Sequence, residues 1–324
     1  MKKNLLSIAV AGLMALAGTA SAQDYPTRPV TLVVPFAAGG PTDTVARLIG
    51  ASMSKTLGQQ VVVENVAGAG GTLGPARVAK APADGYTLLL HHIGMATTAT
   101  LYRKLPFNAL TDFEYIGLVG ESPMTIIARK TLAPAKLSDL VAYAKENKDK
   151  VTLANAGVGA ASHLCGMLFQ SAVGVPLTTV PYKGTGPAMN DIVAGQVDIL
   201  CDQTTNTTEQ IKGNTVKAYA VTTKARVSSL KDLPTTAEAG MPSVEVGIWH
   251  GVYAPKGTPK PALDKLVAAL KVAMKDQTVV ARYGDLGLDP VADADVTPGA
   301  LQAKLKSEID KWAPVIKAAG VYAD

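Results

Sequence analysis

Short apolar runs rich in β-branched residues alternate along this chain with stretches of helical period, and glycine-rich loops stand between them. From residue 30 the order is V-T-L-V-V-P-F, then A-A-G-G-P-T-D, then an amphipathic stretch over 44–57 that ends at Gly58. V-V-V-E (61–64) follows, then the loop A-G-A-G-G (67–71), then a helical stretch over 73–80. Asp84-Gly85 leads into Y-T-L-L-L (86–90). The same grammar returns from residue 151. There V-T-L-A-N is followed by A-G-V-G-A-A-S, a helical stretch over 163–173 ending at Gly174, and L-T-T-V-P (177–181). The loop K-G-T-G-P (183–187), a helix over 188–194 and V-D-I-L-C (197–201) complete it. Strands that alternate with helices predict βαβ units and parallel sheets.

Two such units predict an α/β fold of two lobes, each a mainly parallel sheet flanked by helices. Loops at the carboxyl ends of parallel strands form the binding crevice of such sheets. All four glycine loops fall at those ends, so a ligand is expected between the lobes. Residues 115–130 and 244–254 read as the two crossings of a hinge. Helical periods over 259–275, 277–286 and 298–319 are expected to pack on the first lobe. The organisation predicted is a signal peptide over 1–22, a first lobe over 23–122 plus 250–324, and a second lobe over 123–249.

The leader is read from Lys2 and Lys3, the apolar run over 5–18 and the small-residue site Ala20-Ser21-Ala22, which puts Gln23 at the start of the processed chain. The run is too short to span a bilayer comfortably. The expected product is exported to the periplasm. The chain has 324 residues, a net charge of +5 and 18% charged residues. Two of those positive charges are Lys2 and Lys3, and Lys and Arg never run more than two together. Nucleic acid loses its electrostatic footprint as a partner. Export also changes how Cys165 and Cys201 are read, since an even pair in an oxidising compartment permits one disulfide. Both fall near the same rim of the second lobe, which favours the bridge over two separate buried thiols.

Residues 36–43 are the sharpest segment. Gly39 and Gly40 permit close backbone approach, and Pro41 suits the first turn of a helix. Free N–H groups at such a start, with the helix dipole behind them, hold anions. Asp43 has two readings, a dipole-complementing residue of the first turn or a cleft residue that selects ligands. Residues 157–162 make the matching nest, with Gly157 and Gly159 leaving N–H groups open and Ser162 either capping the helix or donating to a ligand. Asp202 opens a polar loop, 202–206, at the end of the strand over 197–201, with an ordinary solvated loop as the alternative. One of His91 and His92, directly after a strand, is expected to face the cleft.

Enzyme chemistry lacks its signatures. The glycine spacing fits neither dinucleotide fingerprint nor P-loop, and H-E-x-x-H and G-x-S-x-G do not occur. No cofactor or metal is expected.

The segments 25–47, 63–74, 84–90 and V-P-Y-K-G-T-G-P-A-M-N-D-I-V-A-G-Q-V-D (180–198) resemble the Bug family, the periplasmic solute receptors of tripartite tricarboxylate transporters. The resemblance runs over 25–320. It implies a type II periplasmic-binding-protein fold that closes on a small carboxylate, in part through water, and delivers it to membrane subunits. It also implies ligand-binding roles for Phe36, Ala37, Ala38, Gly39, Gly40 and Asp43 in the first loop, and for Gly157, Gly159, Ser162 and His163 in the second. Thr185 matches the later glycine loop. His92 and Asp202 complete the candidate set on position alone. A hinged clamp is expected to be a monomer. An exported enzyme on a small organic acid and a sensory binding protein are the alternative functions.

Overall fold

The computed structural model describes residues 25–323. The leader expected over 1–22 lies outside the described residues. Val30–Val34 (β1) starts the first sheet, connected by Pro41–Leu57 (α1) to Val61–Asn65 (β2). Pro41 sits at the first helical turn, and Gly58 closes the helix in the left-handed conformation at φ 68°. Leu73–Ala79 (α2) leads to Thr87–His92 (β3), which runs at once into Gly94–Leu101 (α3). β1 lies between β2 and β3, parallel to both.

Phe113–Arg129 (β4) is one continuous strand of 17 residues over the first expected crossing. After Leu137–Glu146 (α4) the second lobe repeats the first. Thr152–Asn155 (β5), Ala161–Val173 (α5), Thr178–Pro181 (β6), Thr185–Val193 (α6) and Ile199–Gln203 (β7) follow in order. β5 lies between β6 and β7, again all parallel. Thr204–Lys212 (α7) begins directly after β7. The polar loop expected over 202–206 is therefore strand end and helix start. A threonine-rich stretch that reads as a loop by composition is here carried into a helix by packing, with Thr204, Thr205, Thr207 and Thr208 all buried.

Val216–Val221 (β8) and Gly247–Pro255 (β9) complete the crossings. The strand order is β2-β1-β3-β9-β4-β7-β5-β6, with β8 also on β4. β4 belongs to both sheets: it pairs with β9 up to Pro123, then with β7 from Met124 and β8 from Thr125. Thr222 pins the crossings together. Its N–H donates to the Met124 carbonyl at 2.9 Å, and its Oγ1 donates to the Val246 carbonyl at 2.6 Å.

Lys260–Lys275 (α8) packs on α1 of the first lobe, and Pro298–Ala319 (α10) packs on α3 and β4. Gln277–Leu286 (α9) differs from expectation, because it touches both lobes. The hydroxyls of Thr204 and Thr208 on α7 donate to the Gly287 and Leu286 carbonyls at its end. Asp289–Pro290 (β10) then pairs with β4.

Candidate functional site

Four helices begin at the cleft, α1 and three from the second lobe, α5, α6 and α7. Their first residues or caps line one narrow cavity: Gly40, Pro41 and Thr42 on α1, Ala160, Ala161 and Ser162 on α5, Thr185 on α6 and Gln203 on α7. No side chain caps any of the four. Each helix start carries about half a positive charge, so together they can offset about two negative charges. Phe36, His92, Ala156 and Asp202 complete the wall, and among the described residues no Lys or Arg contributes to it.

The loop over 36–43 is braced from below. Asp43 accepts from the Gly39 N–H at 3.0 Å, from Asn65 at 2.9 Å and from Arg47 at 2.9 and 3.0 Å. Burial disfavours this carboxylate, but the donors from Arg47, Gly39 and Asn65 outweigh it and hold its pKa below the usual range. Its carboxylate points at the frame of the loop, and Asp43 does not line the cavity. The matching loop is braced by neutral groups. Asn155 Oδ1 accepts from the Gly157 N–H and Ser162 Oγ accepts from the Ala156 N–H, each at 2.8 Å. The disulfide Cys165–Cys201, with Cα atoms 6.0 Å apart, ties α5 to β7 one residue before Asp202.

His92 and Asp202 hold equivalent places, near the ends of the third parallel strand of each lobe. Phe36 stacks on the His92 ring at 4.7 Å. His92 Nδ1 accepts from the Gly94 N–H at 2.9 Å, so the neutral ring carries its proton on Nε2. Burial, followed by the neighbouring His91 and His250, keeps the His92 pKa well below its ordinary value. Burial likewise takes His91 and His250 to about 3. Asp202 is 1% exposed, and burial lifts its pKa to about 6 against hydrogen bonds from Asn206, the Gln203 N–H and Thr185.

Of the residues singled out in the sequence, Phe36, Gly40, His92, Ser162, Thr185 and Asp202 meet at the cavity. Ala37, Ala38, Gly39, Gly157 and Gly159 lie in the surrounding loops, and His163 in the first turn of α5. His163 Nδ1 accepts from the Gly159 N–H at 3.4 Å. Pro41, Thr42, Ala156, Ala160, Ala161 and Gln203 line the cavity as well; they fall in the loops read from the sequence but were not named there as ligand contacts. Five of these belong to the glycine loops 37–43 and 156–162, and Gln203 follows Asp202, so membership of a motif was the only signal.

The glycine loops also touch each other across the cleft. The Ala37 N–H donates to the Lys183 carbonyl at 2.9 Å, and Thr97 Oγ1 donates to the Gly159 carbonyl at 2.8 Å. Tyr102 places its hydroxyl 2.8 Å from the Ala69 carbonyl and 3.0 Å from that of Val158. A Cβ on Gly184 would lie 2.9 Å from Ala37 N, and one on Gly186 would lie 2.8 Å from the Ala38 carbonyl. A Cβ on Gly70 would collide with the Val158 carbonyl. Such approaches require glycine.

Residues 45–321 match the family model described as tripartite tricarboxylate transporter family receptor. The chain is similar to the solved periplasmic binding protein BugD, at 54% identity and a TM-score of 0.91, over 93% of this chain and 100% of that one. It is similar to MatC from Rhodopseudomonas palustris, solved with bound malate, at 42% identity and 0.88, over 90% and 100%. Rpa4515 of the same organism, solved with adipate, shows 34% identity and 0.86, over 92% and 99%.

Proposed function

This chain belongs to the tripartite tricarboxylate transporter receptor family, periplasmic binding proteins rather than enzymes, and on that premise we propose that it captures a small dicarboxylate. Its fold is the two-lobed α/β architecture of those receptors. The observation that carries the proposal is the meeting of four helix starts on a cavity without a cation. Such a site holds anionic oxygens by fixed N–H dipoles, and their summed charge matches two carboxylates. The relatives solved with malate and adipate support the same class.

Ligand bound to one lobe meets the dipoles of the other only when the lobes close, so it shifts the open–closed balance toward closure. The cleft loops of the two lobes then lie against each other, as Ala37 and Lys183 do. In this reading the protein acts in the periplasm, and the closed form delivers its acid to the membrane subunits of a tripartite transporter.

The test is thermal unfolding against mono-, di- and tricarboxylates, aromatic acids and amino acids, with malate and adipate included. A dicarboxylate at one hundred times its dissociation constant should add about 2.7 kcal/mol of stability. A protein shown by mass spectrometry to be free of carried-over ligand, yet unmoved by every acid, would overturn the proposal.

A further inference from the structure

Asp202 sets a physical problem for a receptor of anions. It lines the cavity, it is 1% exposed, and its side chain meets only neutral donors. Asn206 Nδ2 donates to Oδ2 at 2.6 Å. On the neighbouring strand β4, Thr125 faces it in register and donates its hydroxyl to the Asp202 main-chain carbonyl.

The charged and titratable groups on the surrounding elements are turned elsewhere, exposed to solvent or held neutral. On α1, Asp43 is turned to Arg47 and Asn65. On β3, His92 shares the cavity but is held neutral by burial. On β9, His250 lies at 3.4 Å from the Thr42 hydroxyl. On α5, His163 is turned to Gly159, and ahead of α6 Lys183 is exposed while Tyr182 donates to Asp191. On α7, Glu209 pairs with Arg282. An incoming carboxylate therefore joins a buried carboxyl group with no cation to separate them. Two like charges in one desolvated site drive one of them to take up a proton.

We infer that Asp202 meets the bound acid as a neutral carboxylic acid, so that capture of the ligand takes up one proton. The inference rests on the dicarboxylate reading of the same cavity. One O–H bond forms on Asp202, the proton comes from solvent, and no bond of the ligand breaks. The new O–H then serves as a hydrogen-bond donor to the ligand, adding to the backbone N–H groups a donor that exists only in the protonated site. Burial already moves Asp202 toward that state, with a pKa of about 6 before any ligand charge is added.

The experiment is titration calorimetry of the purified protein with malate and adipate, then with the wider acid panel, at pH 6 and pH 8. Each titration is run in two buffers of different ionisation enthalpy. From pH 6 to pH 8 the protonated fraction of the free site falls from about one half to about one in a hundred. Affinity should then fall about 50-fold, with close to one proton taken up per ligand at pH 8. Asp202→Asn, whose amide is neutral at every pH, should lose the pH dependence of affinity and the proton uptake. Binding without proton uptake overturns this inference alone. So does an affinity that rises with pH and vanishes in Asp202→Asn, the mark of a ligand cation paired with an ionised Asp202. If Asp202→Asn does not fold, the proton count of the wild type decides. A panel in which no acid binds overturns the receptor reading and this inference with it.

Discussion

In the first lobe the loop after the opening strand is held by charge, through Asp43, Arg47 and Asn65. In the second lobe the equivalent loop is held by the neutral acceptors Asn155 and Ser162 and by the sulfur bridge from Cys165 to Cys201. The same topology thus fixes the same cleft geometry by two chemistries. The cavity between them treats its own side chains alike. His92 from one lobe is kept from gaining a proton, and Asp202 from the other is pushed toward keeping one. A site that suppresses side-chain charge of both signs leaves the helix dipoles to deal with the ligand. Buried dipoles fixed by the fold need no counter-ion and little reorganisation when the anion arrives, which is the advantage of this arrangement over a pair of arginines.

The sharpest break of the comparison removes the bridge. Cys165 and Cys201 are 36 residues apart, so reducing the bond should cost the second lobe about 4 kcal/mol, read by denaturant unfolding with and without reductant. The first lobe contains no cysteine and should change little, which hydrogen exchange resolved by lobe would register.

Acid acts on the other side. His91, His92 and His250 have folded pKa values far below the unfolded value near 6.5, so the unfolded chain binds protons that the folded chain refuses. Stability falls as pH drops below that value. From pH 6.5 to 5.5 each histidine should cost about 1 kcal/mol, about 3 in total, visible as a falling midpoint in thermal unfolding. A flat profile over that interval would mean that all three rings take up protons in the fold, and a fall of about 1 or 2 kcal/mol that one or two of them do.

Asp202 has the opposite sign. Its folded pKa is raised, so it loses stability for the protein as pH climbs from about 4 through about 6. Without ligand, Asp202→Asn should gain about 3 kcal/mol at pH 7 and about 0.5 kcal/mol at pH 4. The smallest effect on the fold, and the most selective, belongs to Gly186→Ala. Gly186 lies in the first turn of α6, where alanine suits a helix at least as well, so melting without ligand should move by less than about 1 kcal/mol. Its Cβ would meet the Ala38 carbonyl of the opposite lobe, so affinity should drop tenfold or more, about 1.4 kcal/mol. Unchanged affinity would mean that ligand is held without full closure.

The two-lobed fold was legible because the glycine-punctuated grammar repeats, and β2-β1-β3 and β6-β5-β7 share one order. The site was legible only to the level of its loops. Asp43 could be read as brace or as ligand contact, since a sequence does not show whether a first-turn carboxylate turns toward Arg47 or into the cleft. Residues 202–206 read as a polar loop because such polar residues disfavour helices, and burial of Thr204 and Thr208 against α9 overrides that preference. The cross-lobe contacts were the least visible. Gly186 and Ala38 are nearly 150 residues apart in sequence, and nothing local reveals that they meet.

The glycines that face each other over the cleft carry one more consequence. Gly184 and Gly186 sit in ordinary backbone conformations that many residues adopt, so an isolated second lobe would tolerate side chains there. On the closure proposed above, the need for glycine arises only while the other lobe is pressed against them. At these positions the sequence is a record of a transient arrangement rather than of a folded unit. A substitution can leave the molecule abundant, soluble and correctly folded while deleting one of its two working shapes.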